Sequence, residues 1–461
     1  MAEFMSILTP MPIVSRRGEN KMILNQYRHN QEIMSVFIFN DMNRKLIIYF
    51  LYIILLSSFT SCGDVFLDHN IYWKNRICGK DLIGNTGLGY PIYNNTVVFH
   101  STPVAGDNDE NSIIYGLDTE TGKEKWRLPN SDFSPKKKLE LGNADYYYQY
   151  NNILIVCDFL ISDNRKEHYA YAIDIDKGKV LWVKELPFFD EMGRLVRGSG
   201  KYAYVDATDR NERFVLYKID VETGEYTIEL DFSKTDLSPS LTKINATLDL
   251  FTFSDVYKNT VGEDNIAISI NCGAKTNSSR FYMELFIYNL ATHKKVYSTP
   301  VACSDTLKDS FYGRLCYHDG KIIVGKGAEF LCYDAFQNKG VLWQHNTGSF
   351  GNDNAMQVYC LDNLALGFTV DRLFAFDINT GSKLYDVRAA GSNTANIIDG
   401  ILYQRDGSDL QMRDPKTGKE LKRVATPRDA QAFSSSRPNG KDGRIYVHSY
   451  TDAYCIKAWG K

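Results

Sequence analysis

The sequence predicts an all-β protein, an eight-bladed β-propeller of four-stranded antiparallel blades, and three observations predict it. The first is composition: 30 Tyr and 25 Phe in 461 residues suit pleated, half-buried strands. The second is one turn motif that recurs seven times along the chain. The third is that the two ends of the chain each carry part of the same unit, as a closed ring requires. Charged residues make up 24%, which is ordinary for a folded soluble chain. The 53 Lys+Arg against 56 Asp+Glu leave a net charge of −3 and no basic footprint, so no nucleic-acid partner is expected.

From the N-terminus, Arg44-Lys45 precede the apolar run Leu46–Leu56. A membrane-spanning helix needs about 20 apolar residues, and this run is shorter. It has the charged-then-apolar order of a secretion signal. Ser57-Ser58-Phe59-Thr60-Ser61-Cys62 follows and resembles a bacterial lipobox, with Phe59 where an aliphatic residue is usual. The expected organisation is 1–41 as an over-extended start or cloning residues, 42–61 as a lipoprotein signal peptide, and 62–461 as a single β-propeller domain. The resemblance implies that Cys62 is lipidated. The protein is then exported and anchored to the bacterial cell envelope, at the outer membrane, and meets the membrane through its lipid alone. Cys157, Cys332 and Cys455 sit inside apolar runs and read as small buried hydrophobes. No CxxC occurs, and disulfide pairing cannot be read from the spacing.

The repeated turn begins at Asp118, Asp174, Asp220, Asn289, Asp334, Asp377 and Asp414. Its fullest copies are Tyr115-Gly116-Leu117-Asp118-Thr119-Glu120-Thr121-Gly122-Lys123-Glu124-Lys125-Trp126 and Tyr171-Ala172-Ile173-Asp174, continuing through Gly178 to Trp182. An alternating strand ends at Asp, whose carboxylate can accept from nearby backbone N–H groups. Gly, at 122, 178, 224, 381 and 418, supplies a positive φ. A second strand follows, often closed by Trp. Upstream of most turns lies another apolar strand, such as Asn95–Phe99, Asn152–Val156, Lys201–Val205 and Lys321–Val324. One unit is thus a sheet of about four strands that cannot bury both faces alone, so units must stack. After Gly418 the chain holds Gly443–His448 and Ala453–Trp459 and then ends, a blade without its outer strand. Ile71-Tyr72-Trp73-Lys74 reads as that missing strand. Seven blades is the alternative if the degenerate unit at Asn289 is not a blade.

The Asp-x-x-Thr-Gly-Lys-x-x-Trp pattern resembles the pyrroloquinoline-quinone (PQQ)-type propeller repeat, over nearly all of 70–461. Within that family the chain looks like the non-enzymatic branch that holds the propeller lipoprotein of the outer-membrane β-barrel assembly machinery. The resemblance implies a partner-binding scaffold without an active site. Quinone-dependent members carry a vicinal Cys pair and a Glu, Asn and Asp calcium set, and no Cys-Cys occurs here. No cofactor, no metal and no catalytic residue are therefore expected. Gly198-Ser199-Gly200-Lys201 lacks the first Gly and the Ser/Thr of a phosphate loop, and reads as a turn. Asp107-Asn108-Asp109-Glu110-Asn111 starts like a calcium loop, but Ser112 replaces the required Gly.

The loops between the two middle strands of each blade are expected to be long in the first four blades, at 102–112, 161–168, 208–213 and 273–280, and short in the last four. Loop length on a rigid scaffold carries binding. The expected partner-binding residues are Asp107, Asp109, Arg165, Lys166, Arg210, Arg213 and Arg280, whose mixed charge suits a protein surface. The expected partner is another envelope protein, and the expected role is a lipid-anchored scaffold in outer-membrane protein assembly. The alternative is a carbohydrate-binding or enzymatic propeller of a cell-envelope nutrient system, with a glycan as ligand.

Overall fold

The computed structural model describes residues 69–460, apart from 78–88, 102–112, 130–138, 141–146, 163–164, 187–190, 209–213, 233–245, 275–276, 302–313, 327–328, 347–356, 370–371, 390–394, 428–432, 434–436 and 450. The signal-peptide segment and Cys62 lie outside the described residues. Among the described residues every regular element is a strand. Eight antiparallel sheets form a ring, and in seven of them the inner, second, third and outer strands follow in chain order.

Blade I runs Ile92–Tyr93, Thr96–Ser101, Ile113–Asp118, Glu124–Pro129. Blade II runs Tyr147–Tyr150, Ile153–Ser162, Arg165–Asp174, Lys179–Leu186, and blade III Glu191–Ser199, Tyr202–Thr208, Phe214–Asp220, Tyr226–Phe232. Blade IV runs Ala246–Phe253, Asp264–Ala274, Asn277–Asn289, Lys294–Val301. The unit at Asn289 is therefore a blade, and the seven-bladed alternative falls. Blade V runs Arg314–His318, Lys321–Lys326, Glu329–Asp334, Val341–Asn346, and blade VI Gln357–Leu361, Leu364–Phe368, Arg372–Asp377, Lys383–Arg388. Blade VII runs Asn396–Ile398, Ile401–Asp406, Asp409–Arg413, Glu420–Val424. Blade VIII holds Asn439–Lys441, Arg444–His448 and Asp452–Lys457, and its outer strand is the N-terminal Ile71–Arg76. That strand pairs antiparallel with Asp452–Lys457, Trp73 opposite Cys455 and Arg76 opposite Asp452.

The core lies in the seams between blades. Side chains alternate across a strand, so each middle strand feeds two seams. Leu154 and Val156 pack into the seam with blade I, while Ile155 and Cys157 pack into the seam with blade III. Second strands are thus buried on both faces, as in Thr96–Ser101, and read as continuous apolar runs. Eight clusters fill the eight seams. Each fully buried Val, Leu, Ile or Phe contributes roughly 1.5–3 kcal/mol. Cys157, Cys332 and Cys455 are buried thiols, in line with their apolar surroundings.

Candidate partner surface

Strand direction gives the ring two unlike faces. One carries the Asp turns between third and outer strands. The other carries the tips of the hairpins between second and third strands, and the connections between blades.

On the turn face, Asp118 Oδ1 accepts from the N–H of Glu120 at 3.1 Å and of Thr121 at 2.8 Å, and the Gly122 N–H donates to the Asp118 carbonyl at 2.9 Å. Burial raises the Asp118 carboxyl, but the bonds from Thr121 and Glu120 outweigh it and hold the group below its ordinary value. Asp174, Asp220 and Asp377 accept from the same two N–H positions. Asp414 accepts from the Lys416 N–H and the Thr417 hydroxyl. Gly178, Gly224, Gly381 and Gly418 each donate back to the Asp carbonyl four residues earlier, all at 2.8 Å. These carboxylates are committed to their own turns.

The turns also latch the blades together. Trp126 of blade I donates its Nε1–H to the Ile175 carbonyl of blade II at 2.8 Å. Trp182 does the same to Val221 at 2.9 Å, and Trp343 to Ile378 at 2.9 Å. Tyr297 and Tyr385 reach Asp334 and Pro415 through their hydroxyls. At the closure, Trp73 donates to Thr119 at 3.1 Å. Gly122 has φ +68°, and a Cβ there would lie 2.5 Å from Trp73 Cδ2, so both the conformation and the space require glycine.

The seam between blades III and IV departs from this pattern. Ile228 of blade III takes the Trp position and is 53% exposed, and His293 takes the Gly position of blade IV with φ +55°. The latch is replaced by a charge contact. His293 Nδ1 lies 2.7 Å, and Lys218 Nζ 3.7 Å, from the buried Glu229 carboxylate. Beside it opens a cavity of about 160 Å³ lined by Phe232, Ile268, Phe286, Tyr288 and Lys295 among others.

The tip face is uneven. The third strands of blades II and IV hold 10 and 13 residues, whereas that of blade V holds 6. At about 3.3 Å per residue, those two hairpins extend roughly 13 and 23 Å further. Arg165 and Lys166 therefore lie in a strand, not in a loop: Ser162 pairs with Arg165 and Ile161 with Lys166. Arg280 likewise lies inside Asn277–Asn289, at an irregularity between the pairs Gly273/Phe281 and Ala274/Asn277. The physical reason is that a hairpin satisfies its own backbone hydrogen bonds, and apolar stretches such as Phe159-Leu160-Ile161 continue the ladder past the ring. Asp107, Asp109, Arg210 and Arg213 lie outside the described residues.

Sequence reasoning missed two buried histidines, His448 in the closing seam and His100 on the second strand of blade I. The Tyr90 hydroxyl hydrogen-bonds His448 Nδ1. His100 is fully buried, and neither ring nitrogen finds a hydrogen-bond partner among the described residues. Burial, helped by His448, lowers its pKa to about 3, so the ring is neutral. Each His was visible in the sequence. Only ring closure brings positions 90 and 448 together. Among the described residues no three His, Cys, Asp or Glu side chains converge as a metal site would need.

Residues 291–460 match the family model described as outer membrane protein assembly factor BamB. The ring itself is an eight-bladed β-propeller. Its blades from the turn of blade IV onward are similar to that PQQ-like family. The matched stretch runs from the turn of blade IV through blade VIII, so the PQQ-like model stops short of the tall hairpins. No curated protein matches the chain. Among solved structures, BamB from Moraxella catarrhalis is 12% identical, covers 85% of this chain and 98% of its own, and has a TM-score of 0.51. The quinohemoprotein alcohol dehydrogenase from Comamonas testosteroni is 12% identical over 85% and 76%, with a TM-score of 0.53. Sqt1 from Chaetomium thermophilum, solved with the N-terminus of the ribosomal protein L10, is 11% identical over 85% and 100%, with a TM-score of 0.52. At these identities the likeness is one of fold, and the fold serves both protein binding and oxidoreduction.

Proposed function

We propose that this PQQ-like propeller is a protein-binding scaffold of the bacterial cell envelope, exported and lipid-anchored through Cys62, acting in outer-membrane protein assembly. The observation that carries the reading is the uneven tip face. The third strands of blades II and IV run well past the length of that in blade V, and the Asp carboxylates of the turn face are bound to their own backbone. A rigid ring with raised walls on one side offers an extended docking edge, and Arg165, Lys166 and Arg280 lie on those walls. Asp107, Asp109, Arg210 and Arg213 belong to the same proposed surface. The match to the BamB family model favours a protein as the ligand.

The test places a photo-crosslinking residue at Lys166 on the tip face, or at Lys123 on the turn face, in the full chain in bacterial cells. Crosslinks to one envelope protein from Lys166 and none from Lys123 are expected. Replacing 161–168 by a two-residue turn should weaken capture at least tenfold while leaving the melting temperature within a degree or two. Capture from Lys123 alone would show that the partner meets the other face.

A further inference from the structure

Two cysteines on neighbouring inner strands face each other across the seam between blades V and VI. Their distance in sequence hides the pairing, and the pleat reveals it. In Arg314–His318, Leu315 and Tyr317 point into the seam with blade IV, so Cys316 points towards blade VI. In Gln357–Leu361, Tyr359 points into the seam with blade VII, so Cys360 points towards blade V. Both thiols pack on the same apolar cluster, between inner strands that lie side by side. The Cys316 thiol is near enough to Cys360 to act on its ionisation, and it also faces the Tyr317 carbonyl at 3.8 Å. We propose that Cys316 and Cys360 are a redox pair that closes to a disulfide and staples blade V to blade VI near the axis.

A third thiol, Cys332, lies on the same cluster and sharpens the assignment. Cys316 is opposite Ile323, and Ile323 is opposite Cys332, so Cys316 and Cys332 stand two strands apart in one sheet. That is roughly 9.5 Å at the usual strand spacing, beyond the ~7 Å Cα separation a disulfide spans. Of the other two described thiols on this cluster, Cys316 can therefore pair only with Cys360, across the seam.

The oxidant is a small-molecule or protein disulfide. One thiolate of the pair attacks it, a new S–S bond forms, and one half leaves as a thiolate. The second thiol loses its proton and displaces the other half. Two electrons and two protons pass from the pair to the external disulfide, which becomes two thiols. Burial raises the Cys360 thiol well above its ordinary value, so the closed seam is a poor nucleophile and exchange runs as blades V and VI come together during folding.

The full chain is unfolded, refolded in a reduced/oxidised glutathione buffer, alkylated under denaturing conditions, digested and mapped by mass spectrometry. The never-unfolded chain in the same buffer is a second reading. A peptide pair linked through Cys316 and Cys360 is expected, with two fewer alkylated thiols than in the reduced chain and a melting temperature that drops by several degrees on reduction. Cys316→Ser or Cys360→Ser should each abolish the link and that drop. Full alkylation of both cysteines in the refolded and the never-unfolded chain overturns the proposal. So does a Cys360 link to Cys332 in place of Cys316.

Discussion

The latch at the closing seam invites a double-mutant cycle. Gly122 and Trp73 meet there, contributed by the turn of blade I and the N-terminal strand. Gly122→Ala places a Cβ at φ +68°, which costs an L-residue about 1–2 kcal/mol. The same Cβ falls 2.5 Å from Trp73 Cδ2 and Cε3, so the indole must move. Trp73 is boxed in by Phe99 and Tyr446, with ring centroids 6.3 and 6.0 Å away, and overpacking of this kind costs about 1–3 kcal/mol. The expected total for Gly122→Ala is about 2–5 kcal/mol. Trp73→Ala removes a buried indole and its bond to Thr119, for about 3–5 kcal/mol. In the double variant the clash is gone and the φ cost remains. The double should therefore be about 1–3 kcal/mol less destabilised than the sum of the singles. The assay is urea denaturation followed by circular dichroism, comparing midpoints at constant m. Gly122→Ala with Trp126→Ala, at a different seam, serves as the control and should be additive. Additivity within about 0.5 kcal/mol for Gly122 and Trp73 would refute the latch.

Two further predictions concern the irregular seams. His100 is held neutral, with a folded pKa of about 3 against an unfolded value near 6.5, so the unfolded chain binds the extra proton between those values. Stability then rises with pH through that window and is lost on acidification, by about 2 kcal/mol from this group at pH 5. His100→Leu should flatten the dependence of the melting temperature between pH 7 and 5, and an unchanged slope would show that His100 is not the titrating group. Ile228→Trp with His293→Gly should install at the blade III–IV seam the latch seen at Trp126 and Gly178. A rise in melting temperature of a degree or more is expected, and a fall would mean that the Glu229–His293 contact is the better fit.

The candidate site was less legible in the sequence than the fold. Segments 161–168 and 273–280 read as loops because they carry polar and charged residues. In the structure Arg165, Lys166 and Arg280 sit in strands. A hairpin that projects into solvent needs no apolar face, so periodicity gives no signal for it.

What the sequence determined alone is the ring. An Asp and a Gly four residues apart define a turn through local hydrogen bonds and a local backbone conformation, so each copy could be counted without knowing its neighbours. The orphan strand, read as Ile71–Lys74 and observed as Ile71–Arg76, and the incomplete last blade were legible for the same reason, as pieces of a known unit. The tertiary structure decided what meets across the seams. Alternation says that Cys316, Cys360, His100 and His448 leave their strands on a given side, but it does not say which position of the next blade stands opposite. That offset is set by how two twisted sheets stack. It brings Cys316 to Cys360, puts Tyr90 on His448, and leaves Glu229 with His293 where six other seams place an aromatic ring over a turn.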